Sequence, residues 1–262
     1  MCLVTTLLVG GMVYTVLDRR SLPASAAVSS ALPTDEEQAI TAVVSETDYT
    51  VFLPLVCRDS GPHFSRLGFG SVSWDSIRFP DIRKLSAGWY QLFSTHPAPE
   101  RPMGIEHIQV VRLHQKTSCW PQRTRDRVNC PYQDGYWITS PAGGIPAIQD
   151  AARANPGALW LIGNEMDRRD WDYGGGGGQD EMLPEMYARA YYDIYHAIKG
   201  ADDTAKVAIG GMVQATPLRL AYLDTVWETY QARYGSPMPV DVWNVHNFIM
   251  KERCDDYGAD VP

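Results

Sequence analysis

Short apolar runs that alternate with helical patterns constrain the fold of this 262-residue chain more than any other feature. Continuous apolar runs are typical of strands that are buried on both faces of a parallel sheet. Their alternation with helices is typical of βα units. The sequence therefore predicts an α/β fold with strands over residues 67–71, 89–93, 108–113, 159–163, 207–210 and 242–246.

Two helices are predicted late in the chain. The first begins at Pro184 and ends at Gly200, and the second begins at Pro217, where Thr216 can cap it, and ends at Gly235. Each carries an apolar stripe at helical spacing, which indicates packing against a sheet and not a cofactor site. The stripe residues are Met186, Ala190, Ile194 and Ala197 in the first helix, and Leu220, Leu223, Trp227, Tyr230 and Tyr234 in the second.

Composition limits the class of protein. With 45% hydrophobic residues, the chain can bury a full core, and one main domain in a monomer is expected. A formal net charge of -8 argues against a nucleic-acid partner, because binding to phosphates needs clustered Lys and Arg. Eight Trp and fourteen Tyr residues suit either core packing or stacking on sugar rings, and the sequence leaves both open.

The N-terminal segment differs from the rest of the chain. Residues 3–17 are mostly apolar, and Ala24 to Ala26 offer a cleavage site, so we expect a signal peptide or a membrane anchor over residues 1–26. Basic residues follow the apolar stretch, which leaves an uncleaved membrane tether open. Residues 27–60 are expected to be a low-complexity tether, and residues 61–262 the folded domain. The expected location is extracellular or at the cell surface.

Two insertions interrupt the βα rhythm. Residues 114–140 lie between the third strand and its helix, and Cys119 and Cys130 could close part of this insertion with a disulfide in an oxidising compartment. Residues 168–182 follow the fourth strand and contain five consecutive glycines, Gly174 to Gly178. This glycine run fits a mobile rim loop or plain flexible filler, and it lacks the Lys-Ser/Thr of a phosphate-binding loop.

The apolar run of the fourth strand ends abruptly at Asn164 and Glu165. Catalytic groups in parallel α/β folds sit at the carboxyl ends of strands, so Glu165 is the first candidate for chemistry. The alternative is a glutamate that only caps the following loop. His246 ends the sixth strand, where it could face the same pocket or simply bond to the backbone. Arg112 ends the third strand and could brace a carboxylate or lie at the surface.

Several other chemistries lack their sequence markers. The six histidines show no HxH or HExxH spacing, so no metal site is expected. No GxSxG motif occurs, which removes the usual marker of a serine nucleophile. No dinucleotide fingerprint is present either, so we expect no cofactor.

Three segments carry a family resemblance: GNEMD after the fourth strand, KVAIGG on the fifth and DVWNVH on the sixth. They resemble the clan of retaining glycoside hydrolases with (β/α)8 TIM barrels, most closely the small-barrel enzymes that act on β-1,3-glucans. The resemblance implies that Glu165 is the acid/base, that Asn164 contacts the sugar 2-hydroxyl, and that His246 lines the pocket. It implies a polysaccharide or oligosaccharide substrate, with Arg112 and Trp243 as further binding residues. Met166 stands where the clan usually has a proline.

The resemblance also implies a residue that this sequence does not supply. The clan's nucleophile is a second Glu at the end of strand seven, whereas the chain ends at Pro262, shortly after strand six. Glu252 falls in the loop after strand six and is not expected to replace it. We therefore expect an incomplete barrel of strands one to six from a longer, secreted hydrolase, inactive as a fragment. The alternatives are a non-catalytic carbohydrate-binding protein or a scaffold protein at the cell surface.

Overall fold

A curled sheet of parallel strands lies at the centre of the chain. The structure, a computed structural model, describes residues 4–9, 12–18, 67–71, 78, 80–119, 126–168, 178–246 and 248, the first two ranges by their backbone alone. Neighbouring strands of the parallel part follow one another in chain order. These strands are β3 (Gly68–Gly70), β4 (Trp89–Gln91), β5 (Glu106–Thr117), β7 (Leu159–Asn164), β8 (Lys206–Gly211) and β9 (Val242–His246).

All six predicted strands are confirmed, and they form a half-barrel in a mixed α/β fold. The apolar runs located them because such runs are buried from both sides in a parallel sheet. Two further strands, β1 (Val4–Val9) and β2 (Met12–Asp18), pair with each other in antiparallel fashion, and β2 pairs with β9. The signal peptide or anchor over residues 1–26 stays a prediction, and the tether over 27–60 lies outside the described residues.

Three α-helices flank this sheet in the described residues: α1 (Gly144–Ala154), α2 (Pro184–Ala201) and α3 (Pro217–Tyr234). The two predicted helices begin at their prolines as expected. Gly235 ends α3 with a φ of 70°, a backbone conformation that glycine adopts without strain. Short 3-10 helices occupy Pro80–Leu85 and Pro102–Gly104. None of the helices in the described part of the chain is long and apolar enough to cross a membrane.

The buried face of α3 differs from the predicted stripe. Leu220 is 47% exposed, so the expectation for this residue is wrong. The buried residues of the helix are Arg219, Tyr222, Val226 and Tyr230. Because Arg219 is buried, the buried face of α3 is rotated relative to the apolar stripe. The periodicity of apolar residues does not predict a buried arginine.

The sheet packs its outer face against the helices. Val111, Ile162 and Val207 belong to a large apolar cluster that also contains buried residues of all three helices. Tyr187 of α2 ties this layer together, because its hydroxyl donates to the carbonyl of Ile162 at 2.7 Å and accepts from the amide of Gly210 at 3.0 Å. The helix therefore fixes the carboxyl ends of two neighbouring strands.

The inner face of the sheet carries a smaller apolar cluster of Ile108, Val110, Leu161 and Ala208, with Val242 against it. Alternate residues of a strand share a face, so Arg112 continues the inner face of β5 and His246 that of β9. Apolar residues thus occupy the middle of the inner face. Charged and polar residues occupy its carboxyl edge.

The predicted insertion after the third strand is a hairpin. β5 continues to Thr117 and pairs in antiparallel fashion with β6 (Tyr132–Ser140). A disulfide joins Cys119 to Cys130 near the turn, with Cα atoms 5.4 Å apart, so the predicted pairing is confirmed. The glycine run of the other insertion lies mostly outside the described residues, of which Gly178 is the first after the gap.

Candidate functional site

Glu165 leaves the carboxyl end of β7 in a strained backbone conformation. Its φ of 53° lies in the left-handed region that non-glycine residues rarely adopt. The amide of Glu165 donates to the carbonyl of Gly211 at 2.8 Å, which holds the residue against the end of β8. Such strain is tolerated where the surrounding structure fixes the residue, and it is common at functional sites.

His246 reaches Glu165 from β9 across the end of β8. Its Nδ1 lies 2.9 Å from Glu165 Oε1. This reach depends on Gly211 in the strand between them, because a Cβ there would stand 2.2 Å from His246 Nε2. Gly211 of the KVAIGG segment therefore has a packing role, because it lets the side chain of His246 on β9 reach Glu165 at the end of β7.

Arg168 completes the contacts of the Glu165 carboxylate. Its Nη1 donates to Glu165 Oε2 at 2.9 Å, and the two side chains are 4% and 0% exposed. Burial acts to raise the pKa of Glu165, but the hydrogen bonds and charges of His246 and Arg168 outweigh it and lower the pKa. In this arrangement Glu165 is an ionised acceptor of hydrogen bonds.

A second buried ion pair lies directly beside this one. Arg219 of α3 lies 3.3 Å from Asp167 Oδ2, and both side chains are fully buried. The amide of Val213 also donates to the Asp167 carboxylate, at 3.2 Å. Burial, together with the nearby negative charge of Glu165, raises the pKa of Asp167 to about 6, although Arg219 acts against this shift. We call Glu165, Asp167, Arg168, Arg219 and His246 the Glu165 cluster.

An open cleft adjoins the cluster beside the middle of β5, just past Val111, where the parallel pairing with β7 ends. The prediction that Arg112 ends its strand is therefore wrong, because β5 continues to Thr117 to pair with β6. The cleft encloses about 260 Å³ between β5, the ends of β4 and β6, and the segment before α2. Arg112 is its central cation: Nε donates to Asp180 Oδ1 at 2.7 Å and Nη2 to the carbonyl of Gly178 at 3.1 Å. We call this the Arg112 cleft, and its lining residues are Phe93, Arg112, Leu113, His114, Thr139, Ser140, Gly178, Gln179 and Asp180.

Asn164 separates the two features. Its backbone amide donates to Asp180 Oδ2 at 2.9 Å, and its side-chain amide donates to Gln179 Oε1 at 2.7 Å. Asn164 is buried beside Glu165 and is joined to residues that line the Arg112 cleft. Its side chain is thus bonded to the described segment before α2, residues 178–183, which we call the rim segment.

Residues of the β5–β6 hairpin also bind the rim segment. Arg127 donates to Glu181 through Nε at 2.7 Å, and its Nη2 and the hydroxyl of Tyr132 contact the same carboxylate. Glu181 is 2% exposed, so its charge is compensated within the protein. The paired acids Asp180 and Glu181 therefore fasten the end of the rim segment to β5 and to the hairpin.

Trp243 lies away from the other predicted site residues. Its ring stacks on Trp227 of α3, with centroids 4.8 Å apart and planes inclined by 10°. It therefore faces the helices, on the face of β9 opposite to His246. The structure brings together Glu165 and His246, and it joins Arg112 to Asn164 through Asp180, but it does not place Trp243 with either group.

Sequence reasoning did not single out Asp167, Arg168, Asp180 or Arg219. Asp167 and Arg168 stand within three residues of Glu165, so their position after a strand end was a usable signal. Arg219 and Asp180 reach the site through tertiary contacts, for which the sequence offers no local pattern.

Groups of three or more His, Cys, Asp or Glu side chains that could hold a metal ion are absent from the described residues. No family model, no curated protein and no solved structure matches this chain.

Proposed function

We propose that this chain carries the acid/base part of a retaining O-glycosyl hydrolase with a (β/α)8 barrel, which acts on a β-linked polysaccharide outside the cell or at its surface. The observation that carries the proposal is the position of Glu165, at the carboxyl end of the fourth of six parallel strands in consecutive order. Asn164 precedes it, as in the clan that the sequence resembles, and His246 contacts it from the sixth strand.

In the proposed reaction, Glu165 protonates the glycosidic oxygen while a second carboxylate, about 5 Å away, attacks the anomeric carbon. Glu165 then acts as a base and activates water, which releases the sugar from the covalent intermediate. The second carboxylate is assigned to a residue outside the described part of the protein. No cofactor takes part.

The proposal requires a change at Glu165 when substrate binds. A carboxylate held ionised by Arg168 and His246 cannot donate a proton, so at least one of these contacts must open. The burial of Glu165 then favours the neutral acid, because it acts to raise the pKa of this residue once an opposing contact is lost.

A second candidate function is carbohydrate binding without hydrolysis. The closed pairing of Glu165 favours it, and so does the placement of the open cleft around Arg112, with neither Glu165 nor His246 among its lining residues. Binding of this kind depends on the Arg112 cleft and leaves the Glu165 cluster with a structural role.

Hydrolysis of a panel of β-linked glucans by the natural full-length protein tests the proposal. Glu165→Gln should lower the rate by about 10²- to 10⁴-fold, since it removes the proton donor. The rate on an aryl glycoside with an acidic leaving group should fall less in this variant, because that group departs without protonation. Glu228→Gln, at an exposed position of α3, is the matched control and should keep the wild-type rate.

The far-ultraviolet circular dichroism of both variants checks that they fold. Glucan binding that survives Glu165→Gln, with no hydrolysis by the wild type, would favour the second candidate. Equal rates for Glu165→Gln and the wild type would overturn the hydrolase proposal.

A further inference from the structure

The Arg112 cleft has polar walls whose charges cancel. Arg112 and Asp180 are paired at 2.7 Å, and the next acid along the chain, Glu181, is neutralised by Arg127. Among the side chains that line the cleft, Arg112 and Asp180 form an ion pair with each other, and His114 is buried at 3% exposure. An anionic ligand would therefore meet a cation whose charge is already compensated.

The cleft keeps hydrogen-bonding groups for a ligand in spite of this pairing. Arg112 uses Nε and Nη2 within the protein, which leaves Nη1 as a donor, and its side chain is 20% exposed. Gln179 accepts from Asn164 through Oε1, which leaves its amide nitrogen as a donor. The exposed Thr139 adds a hydroxyl that can both donate and accept.

Phe93 provides an apolar side to the same cleft. It follows β4 with a φ of 52°, so this strand also ends in a strained residue at the carboxyl edge. A space of about 260 Å³ lies below the usual range for drug-sized ligands and suits one small ring. Mixed donors and acceptors beside an apolar ring are the chemistry that a hydroxylated ring requires.

We infer that the Arg112 cleft is a subsite for one uncharged sugar unit and that it selects neutral glycans over uronates. The inference rests on the proposed function, because it identifies the cleft as the neighbour of the reacting position. Asn164 lies between the cleft and Glu165, so the sugar bound here is adjacent to the bond that Glu165 would protonate.

Isothermal titration of the full-length protein tests the subsite, with a neutral β-linked gluco-oligosaccharide and a uronate oligosaccharide of equal length as probes. The wild type should bind the neutral probe more tightly. Arg112→Met should weaken that binding by about tenfold, because a charge-assisted hydrogen bond is lost. Arg153→Met, in an exposed pair on α1, is the matched control and should leave binding unchanged.

A variant that gains affinity for the uronate probe distinguishes a change in selectivity from a general loss of binding. Thr139→Lys adds a cation at an exposed position of the lining and should raise the affinity for the uronate probe by up to about fivefold. Gln231→Lys adds the same charge at an exposed position of α3 and should not raise it.

The outcomes separate the two proposals. If the protein binds or hydrolyses neutral glycans while Arg112→Met and Thr139→Lys change neither affinity, the subsite is wrong and the proposed function stands. If the wild type binds the uronate probe as tightly as the neutral one, the selectivity is wrong. If neither probe binds and no glucan is hydrolysed, the proposed function fails and the subsite fails with it.

Discussion

The Glu165 cluster and the Arg112 cleft lie side by side at one sheet edge. Both contain arginine–carboxylate pairs, but the arginines of the cluster are buried, whereas that of the cleft is partly exposed. In the cluster, the side chains of Arg168 and Arg219 are 4% and 0% exposed, and each is committed to a buried carboxylate. In the cleft, the side chain of Arg112 is 20% exposed and keeps a donor for a ligand. A position near the carboxyl edge of the sheet therefore does not by itself determine whether a charged side chain is exposed to solvent.

This difference has an energetic meaning. A buried ion pair contributes little net stability over an apolar pair, but the loss of one partner strands the other charge in a medium of low dielectric. The loss of Arg112 should be penalised less, because Asp180, whose side chain is 3% exposed, keeps two backbone amides as hydrogen-bond donors. The two regions should consequently respond differently to the removal of an arginine.

The largest expected effect follows from this contrast. Arg219→Met should lower the free energy of unfolding by about 3–5 kcal/mol, because it leaves Asp167 fully buried without its cation. Arg112→Met should lower it by about 1–2 kcal/mol, because Asp180 keeps its bonds to the amides of Leu113 and Asn164. Urea unfolding measures both values. Equal losses would show that the two regions do not differ as described.

The second prediction separates two neighbouring acids of the cluster. The pKa of Asp167 is raised to about 6, so its folded state binds a proton more readily than its unfolded state does. Stability from this group therefore increases as pH falls through 6. The pH dependence from Glu165 is opposite: its pKa is lowered, so its stabilising effect is lost as pH falls through that lowered value.

Asp167→Asn isolates the first of these effects. Between pH 7 and pH 5, the unfolding free energy of the wild type should rise by roughly 1 kcal/mol relative to that of Asp167→Asn. Other titrating groups, such as Asp180, are common to both proteins and cancel in the comparison. Parallel curves of stability against pH would contradict the raised pKa of Asp167.

An effect below that of Arg219→Met is expected where the two faces of β9 are compared. Trp243→Leu should lower the free energy of unfolding by about 1–2 kcal/mol, because it removes the stacking on Trp227 and some buried area. Glycan binding should not change, since Trp243 faces the helices. Trp137→Leu, on the hairpin surface at 44% exposure, should lower stability less. A loss of glycan affinity in Trp243→Leu would contradict this placement and indicate that Trp243 takes part in binding.

The parallel strands were predictable because each one is a short apolar run, and the two late helices were predictable because prolines and Gly235 mark their ends. The hairpin was not predicted, since Tyr132–Ser140 has an exposed face and a mixed composition that resembles a loop. The orientation of α3 was predicted incompletely because its buried face includes Arg219, whose partner lies 52 residues away in the chain.

Within the site, the sequence located Glu165, Asn164 and His246 correctly at strand ends. It also placed Arg112 at a strand end, whereas Arg112 lies within β5, next to the point where the pairing with β7 ends. It could not reveal that Glu165 is closed off by Arg168, because that contact depends on the left-handed turn at Glu165. Nor could it reveal Asp180 as the partner of Arg112, since the two are 68 residues apart and the glycine-rich segment before Asp180 has no periodic pattern.

We propose that Glu165 is ionised in the free protein and becomes an acid when a sugar occupies the Arg112 cleft. The carboxyl ¹³C shift of Glu165, followed against pH with and without a neutral β-linked oligosaccharide, reports this change. We predict a pKa below the ordinary value for glutamate in the free protein and above that value in the complex. A pKa that stays low when the oligosaccharide is bound would contradict the account and make Glu165 a structural residue.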